Sequence, residues 1–186
     1  MNWIQKIKSL TKTNNTKSTM TPLQIDKDKA LQLYPTASAE FKAMLEDSFG
    51  KAFFNQKITD RVKSYEDSRT IRGLKPVTLD QFCTALFPLG LSYQEIEGKY
   101  AHHQMESITE ALCENWKANY ADKKQYKYYP WFEWNDATSG FGFSDTHYVC
   151  TASGTDVGSR LCFPTREIAE YAGRTFIAIY NKILIK

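Results

Sequence analysis

Tyr126-Lys127-Tyr128-Tyr129-Pro130-Trp131-Phe132-Glu133-Trp134, followed by Gly140-Phe141-Gly142-Phe143-Ser144, is the stretch whose reading decides the fold. Its residues alternate. Tyr126, Tyr128, Pro130, Phe132 and Trp134 hold one parity, and Lys127, Tyr129, Trp131 and Glu133 the other. A period of two sends successive side chains to opposite faces of a strand, so the segment predicts β-structure. Asn135-Asp136 and Ser139-Gly140 supply turn chemistry, and a second strand is expected from Phe141 to about Thr151. Ser153 to Asp156 reads as the next turn and Val157 to Phe163 as a third strand. Pro130 has no N–H to donate, which places the first strand at a sheet edge. On the second strand Phe141, Phe143, His147 and Val149 are expected on one face. Gly142 and Ser144 fall on the other, where a neighbouring ring could lie over bare backbone.

Either side of this block the pattern is helical. Thr165 caps a closing helix whose apolar stripe is Ile168, Tyr171, Ala172, Thr175, Phe176, Ile179 and Ile183. Such a stripe packs naturally on one face of a three-stranded meander. Upstream, Ser38, Ser64 and Thr78 each precede a short helical pattern, with Gly50, Gly73 and Gly90 near the stops. Ser92 with Glu95 forms a capping box for the longest helix, expected to break at Gly98 and resume to about Asn119. The fold class is therefore α+β: a helical N-terminal region packed with a C-terminal three-stranded antiparallel meander and a closing α-helix.

The net charge is +3, but Lys6, Lys8, Lys12 and Lys17 lie in the first 20 residues with no acid among them, leaving −1 for the remainder. A near-neutral body argues against the broad phosphate-binding surface that duplex DNA selects. Trp3, Ile4, Ile7 and Leu10 recur at helical spacing and Thr11 to Thr21 reads as a linker. Residues 1–21 are thus expected to be a flexible basic arm carrying a short partner-docking helix, and residues 22–186 one α+β domain, helical to 120. Neither a signal peptide nor a membrane-spanning apolar run is apparent. Cys83, Cys113, Cys150 and Cys162 are widely spaced within apolar patterns and read as reduced thiols in an intracellular protein.

Several motifs are similar to those of a family of uncharacterised proteins of gut-dwelling bacteria and their bacteriophages. They are Tyr126 to Phe132, Gly140 to Ser144, Val157 to Phe163, and Ala169-Glu170-Tyr171-Ala172-Gly173 with Phe176, joined by Phe49-Gly50-Lys51 and Ile58 to Asp67. The resemblance spans roughly residues 34–185. It implies a phage or mobile-element product, in the bacterial cytoplasm or associated with the virion, and brings no defined activity with it.

Catalytic constellations are weak. His147 and Cys150, three apart on a strand, face opposite sides, and His102 and His103 point about 100° apart on a helix, so neither pair suits a metal. His102 with Glu106 has workable i, i+4 spacing but supplies only two ligands. A cysteine-dependent hydrolase built from Cys150 or Cys162 with His147 and Asp145 is the weakest alternative, because Cys162 lies between Leu161 and Phe163 in an apolar run. No cofactor is called for. The aromatic strands make the better case. With Tyr126, Tyr128, Phe132 and Trp134 facing the closing helix, Tyr129 and Trp131 remain on the opposite face, flanked by Lys127. Such a face suits a protein partner of phage or host origin, for which Trp, Tyr and Arg are favoured. The alternative is single-stranded nucleic acid stacked on the two rings. The competing expectation is that the helices of residues 22–120 cover this face as core. Arg160 is expected in a buried ion pair with Asp145 or Glu133, with ligand binding as its alternative.

Overall fold

The computed structural model describes residues 25–152 and 160–185. Helices come first: α1 Lys27–Leu33, α2 Ala39–Phe49, α3 Lys51–Phe54, α4 Ile58–Arg61, α5 Tyr65–Ile71, α6 Leu79–Leu86 and α7 Tyr93–Cys113. A hairpin follows, β1 Lys127–Asn135 and β2 Gly140–Val149, then α8 Arg166–Thr175 and α9 Ile177–Leu184. The fold is α+β, with a sheet of two antiparallel strands among the described residues. The expected third strand is reduced to one bridge, Phe163 to Tyr128, in which each residue's N–H donates to the other's carbonyl. Residues 153–159 of that expectation lie outside the described residues, as does the whole arm with Trp3, Ile4, Ile7 and Leu10.

Local capping sets the helix starts. The side chains of Ser38, Ser64, Thr78, Ser92 and Thr165 each accept from a backbone N–H in the first turn, and at Thr78 and Ser92 the reciprocal capping-box bond also forms. Two expectations are corrected. Helix α7 runs unbroken through Gly98 and stops at Glu114, whose φ is 50°, so Trp116 and Tyr120 leave the helix. The closing helix is two helices, divided at Phe176.

The core lies where α5, α7, α8, α9 and the Leu161–Phe163 segment meet. Met105, Ile108, Leu112, Phe163, Ala169 and Ala172 are fully or almost fully buried there. Helices α8 and α9 also carry the hairpin. Gly173 makes the close approach possible: a Cβ on it would sit 2.5 Å from Phe143 Cδ2 and 2.7 Å from Pro130 Cβ. Phe132 packs on Tyr180 at 4.6 Å between ring centroids. By contrast nothing lies within 4 Å of a Cβ built on Gly142, so the ring expected over that glycine is absent.

Both long edges of the hairpin are closed by specific devices. Because Tyr128 points its backbone groups outward to Phe163, Pro130 two residues on also faces outward, where a missing N–H costs no ladder bond. On β2 the Asn181 side chain both accepts from the Phe141 N–H (2.7 Å) and donates to its carbonyl (3.0 Å). Further along, Arg166 Nη1 donates to the Thr146 carbonyl at 2.7 Å. Exposed strand edges recruit other strands, and these side chains occupy the groups that would do so.

Candidate functional site

The register of the hairpin shifts between Trp131 and Phe132. Trp131 pairs with Asp145 but Phe132 pairs with Phe143, which leaves Ser144 as the extra residue of a bulge on β2. An extra residue inverts parity beyond it. Phe141 and Phe143 therefore face α8 and α9, whereas His147 and Val149 face away, and the expected common face of all four is corrected. On the outward side His147 comes opposite Tyr129 and diagonal to Trp131.

That placement builds a ring stack. Trp131 and His147 lie parallel, 9° apart with centroids separated by 4.7 Å, and Tyr129 leans on the same imidazole at 6.2 Å. Trp131 is 44% exposed, which decides the question of cover: the described elements packed on the hairpin are α8 and α9, on the other face. Asp145 opposite Trp131 and Glu133 beside it, both exposed, make the surroundings acidic. Arg166 holds Asp145 at 3.3 Å.

Lys127 does not belong to this surface. It is fully buried, and its Nζ donates to the carbonyls of Asn119, Gln125 (2.7 Å) and Cys150 (2.7 Å), with Asp122 O at 3.4 Å and the Tyr120 ring at 5.1 Å. A buried ammonium is tolerable only when its donors are filled, and these carbonyls fill them. The expectation of a surface cation is overturned. Arg160 is corrected in the opposite sense. Its side chain is 78% exposed, outside any strand, and pairs with Glu106 at 3.1 Å rather than with Asp145 or Glu133.

Two of the rings assigned to the core are also outside it. Tyr126 and Trp134 are 47% and 52% exposed. Tyr126 meets Tyr148 edge-on at 4.9 Å, and Trp134 donates its indole N–H to Asp136 at 2.8 Å. These exposed rings lie at the two ends of the hairpin with the parity of Phe132 and Phe143, so they do not extend the Trp131 stack on the opposite face.

The other candidates resolve into structure. Burial pushes the Cys113 thiol up to about 12, and burial also raises that of Cys162, so both stay protonated. His103 accepts or donates at the Tyr65 hydroxyl (3.1 Å), and burial lowers its pKa. His102 approaches Glu106 at 3.7 Å. Among the described residues no group of three or more His, Cys, Asp or Glu could hold a metal ion, and no helix is long and apolar enough to cross a membrane. Sequence reasoning missed His147 as the partner of Trp131. The signal available was Ser144 between an alternating run on each side, which is where a bulge can reverse parity.

No protein-family model, no curated protein and no solved structure is found to match the chain.

Proposed function

We propose that the chain is a non-enzymatic binding or assembly module of phage type that acts through protein–protein contacts made by the aromatic hairpin. One observation carries the reading: Trp131, almost half exposed, is held flat on His147 on the face that α8 and α9 leave uncovered. A stacked Trp presents a large, rigid apolar area at little entropic cost, the property of interface hot spots. The acidic neighbour Glu133, the neutralisation of Asp145 by Arg166, and the withdrawal of Lys127 into the interior favour a protein partner over single-stranded nucleic acid, which requires cations along its phosphates. The N-terminal arm with Trp3, Ile4, Ile7 and Leu10 is the second contact of this reading.

The test is affinity capture from phage-infected bacteria with the wild-type chain and Trp131→Ala, followed by titration of the purified partner against both. Trp131→Ala is expected to bind at least about tenfold more weakly while melting with the wild type, and deletion of residues 1–20 to weaken the same association. Equal affinity of wild type and Trp131→Ala for that partner would sink the reading. Salt-sensitive binding of an oligothymidylate, lost in Trp131→Ala, would replace it with the nucleic-acid alternative.

A further inference from the structure

Among the described helices of eight residues or more, α6 alone buries no residue completely. Its stripe of Leu79, Phe82, Cys83 and Leu86 is half-buried, and in the turn that follows Phe87 and Leu89 stand 49% and 71% exposed. A segment with so little buried apolar contact opens without the rest of the fold. What ties it down is largely polar. Val77, just before α6, donates its N–H to the Tyr65 hydroxyl at 3.1 Å, and its carbonyl accepts from the Tyr100 hydroxyl at 2.9 Å. Arg69 donates twice to the Lys75 carbonyl, at 2.9 and 2.8 Å. Phe82 completes the attachment, its ring 5.3 Å from that of Tyr100 and 5.2 Å from the His103 imidazole.

The Tyr65 hydroxyl sits at the centre of this latch. Tyr65 is 2% exposed, which leaves its own proton dependent on a protein acceptor, and its second contact is His103 Nε2 at 3.1 Å. With the Val77 N–H already donating to the oxygen, the O–H donates to His103, and that requires an Nε2 without a proton. The chain from Val77 through Tyr65 to His103 therefore runs in one direction and holds for a neutral imidazole. The surrounding charges disfavour a cation there. Arg69 and Arg72 face His103 from α5 and its end. Glu106 and Glu110 face it from α7 itself, but Glu106 already serves Arg160 and His102, and Glu110 holds Arg72. From α6 the imidazole meets Phe82, which carries no charge. Burial, with Arg69 next in weight, keeps the imidazole below its ordinary value.

We propose that residues 74–91 are an acid-released flap: protonation of His103 puts a donor where the Tyr65 hydroxyl needs an acceptor, sets a cation beside Arg69 and Arg72, and lets α6 leave α7, uncovering Tyr65, Tyr100 and the α6 stripe. The device lies on α5 to α7, away from the Trp131 face, and its test does not depend on a protein partner. Its sign follows from proton linkage. In the open flap His103 is solvated and titrates at about 6.5, whereas in the closed flap it titrates lower. Between the two values the open form binds a proton that the closed form does not. Opening therefore rises as pH falls below about 6.5 and levels off below the closed-state value, changing at most about tenfold per pH unit.

The experiment is amide hydrogen exchange of the full chain followed by NMR at pH 7.5 and 5.5, with each rate corrected for the intrinsic rate at that pH. The amides of Val77, Phe82 and Leu86 are expected to be less protected than those of Ile108 and Leu112 at both pH values. Their opening equilibrium is expected to rise about threefold to tenfold on going to pH 5.5. His103→Phe keeps a ring against Phe82 but neither accepts nor titrates, so its flap should open more readily at pH 7.5 and change less than about twofold with pH. His102→Gln should keep the wild-type response. Direct NMR titration of the wild-type His103 imidazole keeps the test decisive if His103→Phe does not fold, since a value at or above about 6.5 would remove the linkage. The flap would be overturned by amides of α6 as protected as Ile108 and Leu112, by an opening equilibrium that does not change with pH, or by a wild-type rise in His103→Phe.

Discussion

Replacing Gly173 with Ala separates tertiary packing from helix propensity, because the two act with opposite sign. Gly173 lies within α8, and Ala in place of a helical Gly gains about 1 kcal/mol from propensity alone. Against this, the new methyl would lie 2.5 and 2.9 Å from two atoms of the Phe143 ring and 2.7 Å from Pro130 Cβ, where contacts of 3.5 to 4 Å are comfortable. Pro130 cannot retreat, since its ring is part of the strand backbone. Phe143 is held as well, with the Arg174 guanidinium 4.4 Å from its centroid. Relief therefore requires α8 to lift from the hairpin, which places the overpacking cost near the upper end of its range, about 3 kcal/mol. The net expectation is destabilisation by about 2 kcal/mol, or a Tm lower by about 4–8 °C for a chain of this size. Gly98→Ala is the internal control. It sits in α7, where the methyl would meet only the Lys182 carbonyl oxygen at 3.4 Å, so propensity prevails and stability rises by up to about 1 kcal/mol. Urea titrations of the two variants beside wild type measure both signs. A Gly173→Ala midpoint equal to or above wild type would refute the close packing of α8 on the hairpin.

Lys127→Met is expected to destabilise by about 3 kcal/mol or more, because the carbonyls of Asn119, Gln125 and Cys150 lose a charged donor that water cannot replace; a urea midpoint unchanged from wild type would return Lys127 to the surface. Alkaline pH should weaken the fold through Cys113, since the folded thiol titrates at about 12 against 9.0 for the ordinary group. Between those values the unfolded chain has released a proton that the folded one retains, so stability falls as pH rises, by up to about 1.4 kcal/mol per pH unit for this group. The buried Tyr180 hydroxyl, also raised by burial, adds the same sign above pH 10, and Cys113→Ser should make the slope in urea midpoints between pH 8.5 and 10.5 shallower without abolishing it. Deleting Ser144 should remove the bulge and turn His147 off Trp131, with Phe141 and Phe143 kept in place by Asn181 and α8. NMR checks this: retention of the upfield ring-current shift on the His147 imidazole protons would contradict the bulge as the cause of the stack.

What was legible in the chain follows the range of the interactions concerned. A capping side chain meets a backbone N–H three residues away, so Ser38, Ser64, Thr78, Ser92 and Thr165 could be found by inspection. The two strands were legible for the same reason, since alternation is local. Lys127 was not. Its parity was read correctly as opposite to that of Phe132, but its ammonium is taken up by backbone carbonyls from residues 119–125 and from Cys150 just past β2, partners that alternation does not announce. The third strand failed similarly. An apolar run ending in Leu161-Cys162-Phe163 suits a strand, yet Leu161 and Phe163 are both buried with Cys162 between them, which alternation across a half-exposed sheet does not produce.

The candidate site depends on one residue whose role alternation hides. Strict pairing would put His147 on the same face as Phe143, under α8, and leave Trp131 without a ring to lie on. Ser144 breaks that symmetry at the one step where the two ends of the hairpin have different obligations. From Phe132 and Phe143 onward the hairpin must present rings to Tyr180 and Gly173. Before it, from Lys127 to Trp131, the inward parity is held by Tyr128 and Pro130 opposite Tyr148 and the buried Thr146, and Tyr129, Trp131 and His147 take the outward face. A small hydrophilic residue tolerates the unpaired position that this exchange creates. The exposed Trp131 stack is thus the geometric counterpart of the packing beneath it: the bulge that lets α8 and α9 close on Phe143 and Phe132 also turns His147 to the face where Trp131 can use it.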